Sequence, residues 1–246
     1  MSKFEFVGLI TVRTSSTRLP KKCLLPFGED NVISHIIERA KHYQIEPIVC
    51  TSIEKSDDII EDICKEKEIK VFRGSINNKI KRWSDCVSFF EIDYFHTIDA
   101  DDPFFDGNEM RRSMLLLKHE DLDIVEPYKY STTGAAILGY SFSSKYLNKI
   151  NLEIEENTNT EHLWNYIYNN NQHKKKTLQQ NKYINIDIDM RLTLDYEEDY
   201  MMLNFVRKLL GNLATREEIN NLFIKNPDIH KINWFRKDDY LDNQKI

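Results

Sequence analysis

Nowhere does this 246-residue chain hold the roughly 20 consecutive apolar residues that a membrane-crossing helix needs, so no transmembrane span is expected. No cationic leader precedes the first apolar run, FVGLI, and no small-residue cleavage site follows it, so no signal peptide is expected either. Cysteine is sparse: Cys23, Cys50, Cys64 and Cys86 lie far apart, form no CxxC pair and have no histidines at zinc spacing. They read as reduced thiols of a cytoplasmic protein, not as a disulfide frame or a structural zinc site. Both familiar glycine-rich phosphate fingerprints are missing. There is no GxxxxGK followed by Ser or Thr, and no GxGxxG; the only glycines near the N-terminal strand are Gly8 and Gly28. The last absence is local, because no acid occurs between Glu5 and Glu29 although the chain carries 40 Asp and Glu against 34 Lys and Arg. A net charge of −6 speaks against general nucleic-acid binding, so cations gathered in one place must serve something small.

The acid-free stretch contains VRTSSTRLPKKCL, with Arg13, Arg18, Lys21 and Lys22 interleaved with Thr14, Ser15, Ser16 and Thr17. It directly follows a strand-like apolar run. A turn of this kind offers backbone N–H groups and fixed charge to an anion, and a triphosphate is the small ligand best matched to three or four converging cations. Arg13 and Arg18 can grip phosphate oxygens with two donors each, while Lys22 adds a compact point charge. Taken alone, the same loop could be no more than a solvated basic turn.

Hydrophobic periodicity alternates along the first half. FEFVGLITV, EPIVCTS, IKVFRG and DYFHTIDA read as strands; NVISHIIERAKHY, SDDIIEDICKEKE (with Ser56 as N-cap) and NKIKRWSDCVSFFEI read as helices. Such alternation predicts a doubly wound α/β fold, with a mostly parallel sheet and helices on both faces, whose ligands bind at the carboxyl ends of the strands. In the less regular second half, MRRSMLLLKHEDLD, TEHLWNYIYNN and YEEDYMMLNFVRKLLGN read as helices. DIVEPYK, GAAILGYS and YINIDIDM read as strands, and NNNQHKKKTLQQNK as an exposed loop. With no repeat and no linker, residues 1–246 are expected to form one domain.

The string Arg13-x-x-Ser16-x-Arg18-Leu19-Pro20-x-Lys22 closely resembles the RxxSxRLPxK signature of sugar-activating cytidylyltransferases. It looks most like the spore-coat-polysaccharide type, with the 3-deoxy-manno-octulosonate and acylneuraminate cytidylyltransferases as relatives. The resemblance extends through most of the chain. KVFRGSINNKIKRW is similar to a family segment with an Asp-Arg pair, of which Arg82 remains while Lys81 stands at the Asp position. TIDADDPFFD is similar to the family's TGDxPLID, and RLTLDYEEDYMML to its RLTVDTPEDLELI close. What this implies is a nucleotide-diphospho-sugar-transferase-like fold, CTP as substrate, Mg²⁺ as cofactor and a homodimer. Arg13, Arg18 and Lys22 would act on the triphosphate, joined in nucleotide binding by Ser16, Arg82 and Asp101. Asp101 and Asp195 would be the metal ligands. The acceptor would lie between Tyr128 and Tyr140, including Tyr130 and Thr133, and on the helix bearing Glu161 and His162. Asp99 and Ala100 depart from the family's Thr and Gly, and Ser15 and Lys21 stand where glycine is common.

The acids have plainer readings too. Asp99, Asp101, Asp102 and Asp106 could be turn residues, Asp187 and Asp189 a solvated strand face, and Glu197, Glu198 and Asp199 the acidic first turn of a helix. His35, His42 and His230 are expected at the surface, and Trp83, Trp164 and Trp234 in packing. Three other functions compete. Asp99-Ala100-Asp101 spells the DxD of metal-dependent glycosyltransferases, which leaves the basic loop without a task. DIDMRLT nearly matches a phosphatase motif but has Arg191 where Thr or Val is required, which eliminates it. A non-catalytic binding protein of the same fold is the third. The acceptor group stays open: an anomeric hydroxyl would give a CMP-linked sugar, a sugar phosphate or sugar-alcohol phosphate a CDP-linked product.

Overall fold

The first strand, β1 (Val7–Thr11), shows how the fold is layered. Its side chains alternate across the sheet. Val7 and Leu9 join one apolar cluster and Ile10 the other, so both faces of β1 are buried. Gly8 sits where the sheet has no room, since a Cβ there would fall 2.6 Å from Cδ1 of Ile98 and 2.9 Å from Cγ2 of Ile45.

The computed structural model describes residues 4–155, 158–160, 164–167, 173–181 and 188–239. After β1 comes a short hairpin of β2 (Pro26–Phe27) and β3 (Asp30–Asn31), turning through Gly28 at φ 76°. Helix α1 (Val32–His42) starts where Asn31 accepts the N–H of Ser34. The chain continues through β4 (Glu46–Ser52), α2 (Asp58–Glu66), β5 (Lys70–Gly74), α3 (Lys79–Phe89), β6 (Tyr94–Asp99) and α4 (Gly107–His119). The second half adds β7 (Ile124–Glu126), β8 (Ser141–Ser143), α5 (Ser144–Leu152), α6 (Trp164–Ile167), β9 (Lys175–Thr177), α7 (Glu197–Leu210) and α8 (Arg216–Lys225).

The main sheet runs in the order β5-β4-β1-β6-β8-β7-β9. All its strands point one way except β8, which is antiparallel to both β6 and β7. Helices α1, α2, α4, α7 and α8 cover one face through residues such as Ile36, Ile60, Met114, Leu203 and Phe223. Helices α3 and α5 cover the other through Trp83, Val87, Tyr146 and Leu147. This is the mostly parallel, doubly wound arrangement that the alternating pattern predicts. The four cysteines are buried and unbridged. Among the described residues no helix is long and apolar enough to cross a membrane.

Departures cluster in the second half. GAAILGYS does not form a strand over its length; only Ser141–Ser143 pairs, and residues 134–139 run irregularly through Gly134 at φ 96° and Ala136 at φ 51°. The hydroxyl of Ser131 explains the turn, since it donates to the Leu138 carbonyl and accepts the N–H groups of Ile137 and Leu138. Apolar content here means burial, not pairing. Conversely, the lysine-rich run expected to be a loop contains β9, an exposed edge strand parallel to β7. Charged edge strands guard against edge-to-edge association and carry no apolar alternation to betray them. Of YINIDIDM only residues 188–190 are described, and these are irregular; Asp189 is exposed and Asp187 lies outside the described residues. The expected cap at Ser56 is instead a 3₁₀ turn, Lys55–Asp57, leading into α2.

His35 is a further correction. It is 7% exposed, packed edge-on against Phe27 and Phe104, with Nε2 2.8 Å from the Pro103 carbonyl. His96, wholly buried, accepts the Gly139 N–H at Nε2, so its Nδ1–H donates to Ser141 Oγ at 2.8 Å and ties β8 to β6. Burial lowers the pKa of His96 to about 3 and, with Arg39 and Arg207 nearby, that of His35 to about 4. Both are neutral when folded but take up protons below 6.5 when unfolded, so stability is full above that pH and falls on acidification towards 4. Each histidine is worth about 2 kcal/mol between pH 7 and 5. Urea unfolding at these two pH values should therefore show a drop about 2 kcal/mol smaller for His35→Phe than for the parent. An equal drop would contradict this account of the acid limb.

Candidate active site

β1 and β6 are neighbours, so the basic loop after Thr11 and the acidic turn after Asp99 leave the same end of the sheet side by side. The Ala100 N–H donates to the Thr11 carbonyl at 3.2 Å and holds the two exits together. The loop is shaped without glycine. Lys21 takes the left-handed conformation at φ 54°, and its N–H closes onto the Thr14 carbonyl at 3.3 Å. Arg13 Nη1 donates to the Ile76 carbonyl at 3.0 Å, which joins the loop to the turn before α3.

Asp195 arrives from the far end of the chain. The Leu194 N–H donates to the Asp101 carbonyl at 2.7 Å and docks LTLD against the acidic turn. A buried ion pair sets the direction of the segment: Arg191 Nε and Nη2 each lie 2.8 Å from an oxygen of Asp199. Asp199 Oδ2 also accepts the N–H groups of Asp195 and Tyr196 at 3.0 Å, and Asn233 Nδ2 donates to Asp199 Oδ1 and to the Arg191 carbonyl. The expected acidic first turn of α7 is present, yet Asp199 is wholly buried and serves as the hub of this support.

Charge then closes the site. Lys22 Nζ lies 2.7 Å from Asp101 Oδ2, 2.9 Å from Asp195 Oδ1 and 2.8 Å from the Leu194 carbonyl. Arg18 Nη2 lies 2.5 Å from the same Asp195 oxygen. Two of the loop's cations, Arg18 and Lys22, are therefore paired with acids far away in the chain; their isolation is a property of the linear sequence only. Burial works against the charge on Lys22, but Asp101 and Asp195 outweigh it and hold the ammonium above its usual range. Burial likewise disfavours ionised Asp195, yet Lys22 and Arg18 pull its pKa below the ordinary carboxylate value. Asp102 goes the other way, raised well above that value by burial and by Asp101 and Asp99.

A cleft of ≈ 310 Å³ opens here, lined by Arg13, Ser16, Arg18 and Lys22 on one side and Asp99 and Asp101 on the other. Its donors suit a hard divalent cation. Asp101 and Asp195 converge on one ammonium, and carboxylate oxygens of Asp99, Asp101 and Asp102 lie within 4.8 Å of one another. Other expected site residues lie elsewhere. Arg82 is buried and does not line the cleft; its Nη1 donates to the Ser75 and Ile76 carbonyls and braces the turn that Arg13 also holds. Tyr130 donates to the Ile188 carbonyl and Thr133 to the Tyr130 carbonyl, within the 3₁₀ turn Lys129–Thr133. Glu161 and His162 fall outside the described residues. Two residues went unremarked in the sequence. Lys79 lines the cleft with Nζ 3.7 Å from Asp99 Oδ1 and 4.9 Å from the centre of the Trp83 ring. Asp57 holds Thr14 from below. Only the position of Lys79 at a helix start facing the strand ends could have marked it beforehand.

Residues 7–229 match the family model described as cytidylyltransferase. An uncharacterized protein of Methanocaldococcus jannaschii is 30% identical over 237 residues, covering 93% of this chain and 94% of its own length. The spore coat polysaccharide biosynthesis protein SpsF of Bacillus subtilis is 26% identical, covering 91% and 96%. Among solved structures, a cytidylyltransferase of Leptospira borgpetersenii serovar Hardjo-bovis superposes with a TM-score of 0.81 at 26% identity, over 92% of this chain and 96% of that one. A basic loop and two acids meeting at the carboxyl edge of a doubly wound sheet are thus joined to a family match over nearly the whole chain: this protein belongs to the cytidylyltransferase family and is a nucleotidyltransferase.

Proposed function

We propose that the protein transfers the cytidylyl group of CTP to a sugar or sugar derivative, releasing pyrophosphate, as a cytoplasmic step of surface-glycan biosynthesis. The observation that carries this reading is that Arg13, Arg18, Lys22 and Asp101 line one cleft, with Asp195 paired to Arg18 and Lys22 beneath it. The polysaccharide setting draws support from the name of the Bacillus subtilis relative. The reading also takes a homodimer from the family resemblance, and a single domain over residues 1–246 from the lack of an internal repeat or linker in the sequence.

Attack on the α-phosphorus in line with the departing pyrophosphate needs positioning and charge neutralisation more than covalent help. Arg13, Arg18 and Lys22 hold the β- and γ-phosphates, Ser16 and the loop's N–H groups orient them, and the same cations stabilise the leaving pyrophosphate. Asp101 and Asp195 would hold Mg²⁺, which would supply charge neutralisation for the phosphates and a lowered pKa for an acceptor hydroxyl. Arg18 pairs with Asp195, and Lys22 with both carboxylates. With nucleotide and metal bound, the two acids would face the metal and the two cations the phosphates. Arg82 supports nucleotide binding through the turn at Ser75 and Ile76. Tyr130 and Thr133, with Glu161 and His162, form the acceptor side. A DxD glycosyltransferase would use Asp99 and Asp101 but leave the basic loop unexplained.

CTP with Mg²⁺ should stabilise the protein by about 2.7 kcal/mol at a hundredfold excess over Kd, well beyond the other three nucleoside triphosphates. Equal melting shifts with all four would refute the cytidylyl reading, and no turnover across a broad acceptor panel would favour a binding protein. Asp101→Asn keeps the side chain's size but not its charge, so turnover should fall by at least about a hundredfold. Arg18→Lys loses the two-pronged donor and should be clearly impaired. Lys21→Gly should retain activity, because glycine suits its left-handed backbone. An inactive Lys21→Gly beside a healthy Arg18→Lys would reverse the roles assigned here. The favoured acceptor atom is an anomeric hydroxyl, giving a CMP-linked product with one phosphorus. Mass spectrometry of a product with two would assign the CDP-forming route through an acceptor phosphate.

A further inference from the structure

A buried acid outside the cleft holds the neck of the basic loop. Three contacts meet at Thr14: its N–H and hydroxyl reach Asp57 Oδ1 at 2.8 and 2.7 Å, and its carbonyl accepts the Lys21 N–H. The hydroxyl also lies 3.2 Å from the Ser56 carbonyl. Residues 14 and 21 therefore close a loop that carries Ser16 and Arg18, with Arg13 just before the neck and Lys22 just after it.

Asp57 stands at the start of α2, where an aspartate ordinarily caps the helix with its side chain. This one gives α2 no such bond. Its Oδ2 instead accepts the hydroxyls of Thr51 and Ser52, at 3.2 and 2.5 Å, from the end of β4. It is 1% exposed. Burial opposes its ionisation, yet the Ser52, Thr14 and Thr51 donors hold its pKa below the usual carboxylate range, so it stays charged. A buried carboxylate with four donors, none of them a cation, is an expensive way to fix one turn. What it fixes is a loop without glycine that must keep Lys21 in a left-handed conformation.

We infer that Asp57 is a positioning residue for the nucleotide. By fixing the neck at Thr14 it preorganises the loop's N–H groups and Arg18, so that the triphosphate does not have to order them itself. It touches no substrate. The inference rests on the proposal that this loop binds the triphosphate, and it makes a demand that a purely structural acid does not. Losing Asp57 should weaken the hold on the β- and γ-phosphates and leave the nucleoside monophosphate portion alone.

The test is calorimetric binding of CTP and CMP, each with Mg²⁺, to the parent, Asp57→Ala, Asp57→Asn and Thr14→Val proteins, with melting followed in parallel. Asp57→Ala should bind CTP about tenfold more weakly, the scale of one lost hydrogen bond to a charged group, with CMP affinity unchanged. Asp57→Asn should recover most of the loss, because it keeps an oxygen for Thr14 and an amide that the Ser52 or Thr51 hydroxyl can accept. Equal weakening of CTP and CMP, or a lower melting temperature with unaltered CTP affinity, would overturn the inference and leave Asp57 a structural acid. If Asp57→Ala does not fold, Thr14→Val decides: a smaller CTP-selective loss supports the inference, and no loss overturns it. A parent protein that binds CTP no better than CMP would remove the loop reading beneath it, an outcome visible before any variant is made.

Discussion

Two carboxylates brought together from different segments repel, and they stay together only if a cation lies between them. In this protein the cation is Lys22, within 2.9 Å of both Asp101 and Asp195. Everything at the carboxyl edge of the sheet is arranged around that contact. β6 delivers Asp101, the basic loop delivers Lys22, and the segment after Met190 crosses the molecule to deliver Asp195. Arg18 reinforces the join from the solvent side. Asp195 is 2% exposed, so its charge has lost most of its hydration. Buried ion pairs of this kind return little net stability, because desolvation offsets the attraction. In the proposed reaction they serve as charges held ready for exchange with the phosphates of CTP and a divalent cation.

Around this centre lies a shell of charged groups that do not line the cleft. Asp199 collects Arg191, Asn233 and two backbone N–H groups, and so aims Asp195. Asp57 collects Thr14, Thr51 and Ser52 and so steadies the loop. Arg82 reaches the Ile76 carbonyl that Arg13 also bonds from within the cleft, and so holds the turn before α3 in place. Each is a charged side chain, buried or half-buried, whose donors or acceptors are turned toward the backbone or small hydroxyls near the site. Misplacement of a reacting group by about 1 Å can cost about a hundredfold in rate, which is the physical reason to fix a loop this firmly.

The parts legible in the sequence were those governed by neighbours along the chain. Short apolar runs such as VGLIT and EPIVCTS became strands buried on both faces, and ISHIIERA a helix with one apolar face. Where pairing depends on distant partners the pattern misled. Ala135–Leu138 is apolar because it is buried, and Ser131 bends it away from the strand geometry its composition suggests. Lys175–Thr177 pairs with β7 through its backbone and through Lys175 and Thr177 to Glu126, with side chains that read as loop. His35 looked like a polar position on a helix and lies among Phe27 and Phe104, because the residues that enclose it come from two other segments.

By itself the sequence determined the doubly wound class, the strand end that carries the basic loop, and the residue types that identify a cytidylyltransferase. Those follow from local periodicity and from a motif of fixed spacing. Only the tertiary structure decided the partners. It paired Arg18 and Lys22 with Asp195, turned Arg82 onto a backbone turn, and set Asp57 beneath Thr14. Hydrogen bonds and ion pairs act over a few ångströms, and which groups come that close is settled by how strands and helices pack, not by how far apart their residues stand along the chain.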